Sequence, residues 1–281
     1  MTQLGAFRID LISDGIFEDD ADSFVQPCVE KESAAKLKAR VKTRIKVGFN
    51  CLLVRAGGHT VVIDPGTGDK PRPDKVSHYR MEWPRRFFST LEELDVRREE
   101  VNTVILTHLH WDHAGAATRL VHGRAEPSFP NARYFVQKKE LEAAQAENAA
   151  GEKDSYLPED YEPLLRAGCL TVIDGDVELF PGISCRWVGG HSAGLQVVMV
   201  GSGTSRAIYL SDLVPTTTQI PLDCMLSYDQ DHAQLKESKQ KILAEAEEHR
   251  DLLLFVHAPR VRAGRLKRRA DNTLSLESVH I

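Results

Sequence analysis

The chain has 281 residues, 27% charged and 42% hydrophobic, a formal net charge of −5, and five cysteines. This is an ordinary globular balance that can build a sizeable core, and the negative charge gives no general attraction to nucleic acid or an anionic membrane. The cysteines are odd in number, widely spread and without a CxxC pair, which argues against a disulfide framework and a thiolate zinc site. No apolar run approaches a bilayer span, and the N-terminus lacks the basic-then-apolar layout of a signal peptide, so a soluble protein in a reduced, cytoplasmic setting is expected.

In chain order, residues 7–12 alternate and predict a strand that ends at the turn Ser13-Asp14-Gly15. Residues 30–42 predict a helix. Residues 51–54 and 60–63 predict a hairpin around Ala56-Gly57-Gly58-His59. Its second strand runs into Asp64-Pro65-Gly66-Thr67-Gly68, a turn lacking the Lys-Ser/Thr of a phosphate-binding P-loop. Residues 71–84 read as a loop, 85–94 as a helix and 96–100 as a short helix. A β-branched strand follows at 101–106, then a strand at 132–136, a helix at 138–150 and a polar excursion at 151–163. Five short strands (170–173, 177–179, 183–188, 197–200 and 207–210) precede a helix at 230–249 and a strand at 252–256. The acidic run Glu18-Asp19-Asp20-Ala21-Asp22 and the six basic residues between Arg260 and Arg269 read as solvated faces. Clustered strands without an alternating βαβ repeat predict an α/β fold of two stacked mixed sheets with helices outside.

The strand at 101–106 leads into Thr107-His108-Leu109-His110-Trp111-Asp112-His113-Ala114-Gly115. Three imidazoles and a carboxylate lie within six residues, on a loop at a strand's C-terminal end. Burying such groups without a cation costs about 1–3 kcal/mol for each one left unpaired. Three later residues share that topological place: His191 in a glycine-flanked turn, Asp212 after 207–210 and His257 after 252–256. The other histidines (His59, His78, His122, His232, His249, His280) have no such context and read as surface groups.

The HxHxDH run resembles the signature of the metallo-β-lactamase-fold hydrolases, and the chain resembles that superfamily over most of its length. The resemblance implies a four-layer αβ/βα sandwich, here one domain over residues 1–281 with 17–46 and 151–163 as insertions or lid segments. It implies two divalent ions, one held by His108, His110 and His191, the other by Asp112, His113 and His257, with Asp212 bridging. Asp64 is a candidate to orient a ligand histidine. This sulfur-free set takes zinc by default and also suits iron, manganese or cobalt. Such a pair brings water toward ionisation at neutral pH and polarises a substrate oxygen, with Asp112 as the catalytic proton carrier.

Departures narrow the branch. Asp212 stands where many two-zinc β-lactamases use cysteine, His110 where flavo-diiron enzymes use glutamate, and only 24 residues follow His257, too few for the helical extension of glyoxalase II. The segment before Asn50, the run 212–217 and Tyr228-Asp229 resemble the branch of acyl-homoserine lactonases and methyl-parathion-hydrolase-like enzymes. Pro215 departs from it, because lactonases place a tyrosine three residues after the bridging aspartate. The expected activity is hydrolysis of a neutral ester or lactone. The alternatives are hydrolysis of an organophosphate triester and, from a different class, a mononuclear-iron persulfide dioxygenase-like oxidation. The expected partner is a small-molecule substrate, with neither nucleic acid nor membrane and with a homodimer left open.

Overall fold

Alternating side chains that are apolar on both faces of the strands set the architecture. The computed structural model describes residues 2–24, 44–152, 154–270 and 273–281. Its first sheet contains β1 (Thr2–Leu4), β2 (Phe7–Asp20), β3 (Arg44–Ala56), β4 (His59–Ile63) and β5 (Thr103–Ile105). After a separate hairpin, β6 (Thr118–Val121) with β7 (Arg124–Pro127), the strands β8 (Arg133–Gln137) and β9 (Leu170–Ile173) complete it. The second sheet runs in order β10 (Val177–Phe180), β11 (Ile183–Trp187), β12 (Gln196–Ser202), β13 (Ser205–Tyr209), β14 (Leu252–Leu254), β15 (Ala263–Arg268) and β16 (Leu274–Ser278). Both sheets are mixed: β4, β5, β8 and β9 are parallel neighbours, as are β13 and β14, and the other pairs are antiparallel.

Successive strand residues point to opposite faces, and the core divides accordingly. Leu52, Val54, Val61, Ile63 and Ile105 meet Val198, Val200, Ala207, Tyr209, Leu252 and Leu254 between the sheets. Their neighbours Leu53, Val62 and Val104 point outward, under the helices Phe87–Glu93 and Lys138–Ala149. On the far side, Val197, Met199, Ile208 and Leu253 take Leu235, Ile242, Leu243 and Ala246 of the helix His232–His249. Asp231 caps that helix, accepting from the Gln234 N–H at 3.0 Å. The two stacked mixed sheets with helices outside that the strand pattern predicts, and the αβ/βα sandwich that the resemblance implies, are the fold observed.

Several elements differ from expectation. β2 does not stop at Ser13-Asp14-Gly15 but shifts register there and continues to Asp20. Gly15 takes φ 106°, and Asp14 turns inward to accept from the backbone N–H groups of Thr67 and Phe87 at 3.0 Å each. The turn is a bulge. The stretch 71–84 contains a short helix, Pro73–His78, started by its proline. Residues from Pro158 onward form the helix Pro158–Arg166, because Tyr161 and Leu164 are buried and Asp160 pairs with the buried Lys70 at 2.9 Å and with Arg72. The basic C-terminal run is largely strand β15, with Ala263 and Leu266 inward and Arg268 outward. The helix expected at 30–42 lies outside the described residues. Cys224 is disulfide-bonded, against the expectation of unpaired thiols, whereas Cys51, Cys169 and Cys185 are free. Spacing along the chain does not reveal a pairing that depends on tertiary proximity. No described helix is long and apolar enough to cross a membrane.

Candidate metal centre

Strand ends deliver the centre's side chains. β5 leads to His108 and His110, and the motif then closes into one helical turn, Trp111–Ala114, in which the His113 and Ala114 N–H groups donate to the His110 carbonyl at 3.0 and 2.9 Å. The glycines beside the motif are there for close approach: a Cβ on Gly115 would overlap the Thr67 carbonyl, and one on Gly68 would lie 2.9 Å from the Ala116 Cα. The turn 64–68 is thus a packing surface for the motif. His191 follows β11, Asp212 follows β13 and His257 follows β14. Gln196 of the second sheet joins the halves, donating through Nε2 to the Leu106 carbonyl (2.9 Å) and through its N–H to the Thr107 carbonyl (3.0 Å). Asn50 does the same near His257, donating to the Phe255 and Ala258 carbonyls at 2.9 and 2.8 Å.

All seven residues singled out in the sequence come together here. His110 Nδ1 lies 3.1 Å from both His108 Nε2 and His191 Nε2. On the other side, Asp112 Oδ2 lies 3.6 Å from His113 Nε2 and 3.5 Å from His257 Nε2. Asp212 stands between the groups and divides its oxygens. Its Oδ2 is 3.2 Å from His191 Nε2 and 4.0 Å from His108 Nε2, while its Oδ1 is 3.3 Å from His257 Nε2 and 3.5 Å from His113 Nε2.

The outer ring nitrogens of His108, His113, His191 and His257 are engaged, which leaves their inner ones as lone-pair donors. His113 Nδ1 donates to Asp64 Oδ2 (2.9 Å), His191 Nδ1 to Asp229 Oδ1 (2.8 Å) and His257 Nδ1 to the Gly48 carbonyl (2.9 Å). His108 Nδ1 lies 3.1 Å from the Thr107 hydroxyl, which itself donates to Asp64 Oδ2 at 2.6 Å. Asp64 thus holds both sides, and with its oxygens occupied this way it orients imidazoles rather than facing the centre.

The electrostatics of the centre are uneven. Burial, then the neighbouring imidazoles, push His108 and His110 well below the usual histidine range. Burial also pushes down on His113 and His191, but carboxylates outweigh it: Asp212, Asp112 and Asp64 for His113, and Asp212 and Asp229 for His191, so both are raised. Burial disfavours the Asp212 carboxylate, yet His257, His113 and His191 together hold it well below the usual range.

The donor set fits cations. Buried polar groups are normally hydrogen-bonded, yet His113 Nε2 and Asp212 Oδ1 are both buried without a hydrogen-bond partner and face each other at 3.5 Å. The ring nitrogens of His108, His110 and His191 can converge on one point, as can the groups of Asp112, His113 and His257, with donor atoms within 4.8 Å of one another in each set.

A cleft of about 210 Å³ opens over the centre. Phe17 and Asp19 form part of its wall, Asp154 and Ser155 another part, and Tyr79, Trp111 and Tyr228 give it aromatic surface. Both segments expected to flank the site therefore reach it, although 25–43 lies outside the described residues. Phe17 lines the cleft, whereas Phe87 and Phe88 belong to the core under β4 and β5, and Trp83 is exposed. Trp111 is buried against Phe49 and Tyr79 at the cleft edge. Sequence reasoning noted Asp229 only as part of a resemblance and missed its bond to His191. It also missed Glu140, which reads as one more charge on a polar helix.

The model of the metallo-beta-lactamase superfamily matches residues 47–257, a span that contains every residue of the centre. The chain belongs to that superfamily. An N-acyl homoserine lactonase of Bacillus cereus is 29% identical over 126 residues, covering 45% of this chain and 43% of that protein. The chain thus matches less than half the length of this relative. Among solved structures, a probable metal-dependent hydrolase from Staphylococcus aureus superposes with a TM-score of 0.85 at 21% identity over the whole of both chains. The dizinc quorum-quenching lactonase AidC, in complex with a product, superposes with a TM-score of 0.78 at 19% identity, covering all of this chain and 97% of its own. At these identities the superpositions speak for the fold.

Proposed function

We propose that the protein is a binuclear metal-dependent hydrolase acting on a neutral ester or lactone. The division of the Asp212 oxygens between two donor sets carries the binuclear reading, since a carboxylate so placed serves an ion on each side. His108, His110 and His191 would hold one ion, and Asp112, His113 and His257 the other. Zinc is the first choice for a set of imidazoles and carboxylates, in line with the two zincs of AidC. Bound there, the ions supply an activated water near neutral pH and polarise a substrate oxygen.

The chain's own residues carry the rest. Asp112 is the one carboxylate of the second set that is open to the cleft, with 16% of its side chain exposed, and it is placed to take a proton from water and return it to the leaving oxygen. Tyr228 lines the cleft with its ring 5.8 Å from that of His191. Although 44% of the residue is exposed, desolvation of the phenol and the carboxylates around it, Asp212 foremost, raise it, so it stays a hydroxyl that can donate to a substrate oxygen. That donor stands in for the tyrosine absent at Pro215, whose carbonyl accepts from the His257 N–H at 2.9 Å.

The lining argues for the substrate class. Among the described residues lining the cleft there is neither lysine nor arginine; Asp19 adds negative charge, and the charge of Asp154 is paired with Lys75 behind the wall. Such walls repel an anionic phosphodiester. Their aromatic surface suits an uncharged substrate with an apolar part, and the lactonase relative points the same way. Turnover of lactones, aryl esters, phosphotriesters, phosphodiesters and β-lactams by one zinc-loaded preparation tests this. Lactones or aryl esters are expected to lead, with phosphotriesters next; preference for a phosphodiester or a β-lactam would refute the assignment.

A further inference from the structure

Glu140 lies in the helix Lys138–Ala149 and is fully buried, and among the described residues no lysine, arginine or histidine pairs with it. A buried carboxylate without a counter-charge is costly unless hydrogen bonds compensate it. Three do. Oε1 accepts from the Leu109 N–H at 2.9 Å, and Oε2 accepts from the Ser192 hydroxyl at 2.7 Å and from the Gly194 N–H at 2.9 Å. Leu109 separates His108 from His110, and Ser192 follows His191. One carboxylate therefore grips, with separate oxygens, the two loops that carry the three imidazoles of one donor set. The fit is close: a Cβ on Gly194 would overlap the Glu140 backbone nitrogen, so the turn 191–194 packs directly on the start of the helix. The same region is tied again by the bridge between His110 and Tyr156, whose rings lie 4.9 Å apart.

We infer that Glu140 is a positioning residue that sets the spacing of His108 and His110 from His191, and with it the affinity of that set for its ion. The inference rests on the reading of these imidazoles as ligands. No bond from Glu140 reaches the residues of the other set, so its influence is one-sided. A glutamate that served only folding would change the stability of the metal-free protein and leave the ratio between the two sets unaltered.

Glu140→Gln keeps the acceptor for Leu109 but places an amide N–H against the Gly194 N–H. Zinc affinity is measured by chelator competition in two backgrounds: Asp112→Ala, which leaves the three-imidazole set intact, and His191→Ala, which leaves the other set. Glu140→Gln is expected to weaken zinc at least about tenfold in the first background, the scale of lost ligand support, and less than about twofold in the second. Equal weakening in both, or no weakening in the first, overturns the inference. Wild type and the Asp112→Ala variant each binding one ion with the same affinity would refute the binuclear reading, while the effect of Glu140→Gln on that ion still decides the role of Glu140. Ser192→Ala, which removes a single hydroxyl donor, serves if Glu140→Gln fails to fold. It is expected to weaken zinc about threefold in the first background, and an unchanged affinity there overturns the inference.

Discussion

Around His108, His110 and His191 the facing groups are imidazoles plus one oxygen of Asp212, whereas around His113 and His257 they are the carboxylates of Asp112 and Asp212. The supporting partners differ too. The first side leans on a hydroxyl and on Asp229, the second on Asp64 and a backbone carbonyl. The first side thus offers an ion nearly neutral ligands, two of them held unprotonated by burial, while the second offers negative charge that competes with the proton for His113. Two ions bound here would meet different fields, with Asp212 as the only shared ligand.

Removing the shared group should have the largest effect. Asp212→Ala is expected to weaken zinc on both sides by more than about a hundredfold, beyond the range for an orienting partner. Calorimetric or competition titration showing one side at wild-type affinity would break the symmetry assigned to Asp212.

Removing the orienting partners should split the two sides, each with about a ten- to hundredfold loss. Asp229→Asn is expected to act on the His191 side alone, since its other oxygen only accepts from the Leu226 N–H. Asp64→Asn should act mainly on the His113 side and more weakly on His108 through Thr107. Identical titration profiles for the two variants would show that the sides are not independently supported.

Acidification should produce the most graded effect, and the smallest one over the first fraction of a pH unit. Ions compete with protons for ring nitrogens, and His113 and His191 hold theirs above the usual range. Zinc affinity should therefore fall as pH drops below those raised values, by about tenfold per pH unit for each proton displaced. For the metal-free fold the signs oppose. His113 and His191 add stability that is present below the unfolded histidine value of about 6.5 and lost as pH rises through their folded values. His108 and His110 add stability that is present above about 6.5 and lost as pH falls toward theirs. Stability of the metal-free protein should thus peak near the unfolded histidine value of about 6.5 and fall on either side of it, and a monotonic change between about pH 5 and 8 would contradict the assigned shifts.

How far the centre was legible follows from where each residue sits. His108, His191, Asp212 and His257 come within a few residues of the ends of strands, and that repeated position is visible in one dimension because an apolar run ends where the polar residues begin. Asp64 shares it, following β4. Asp229 has no strand before it, and its partner lies 38 residues away. Gly48 acts through its carbonyl, which no side-chain pattern can mark. Glu140 hides in Lys138-Lys139-Glu140-Leu141-Glu142, where its neighbours are solvated and only the tertiary approach of Gly194 buries it. In the fold, the apolar strands between the sheets were readable from their pattern. β16 at the edge of its sheet and β15 beside it were not, because strands with one exposed, charged face read as a charged tail.

Elemental analysis of the purified, zinc-loaded protein beside its chelator-stripped form tests most directly whether two ions share Asp212. Two ions per chain, with lactone or ester turnover lost on stripping and restored by zinc, is the predicted result. One ion per chain at saturation, or turnover that survives stripping, would contradict it.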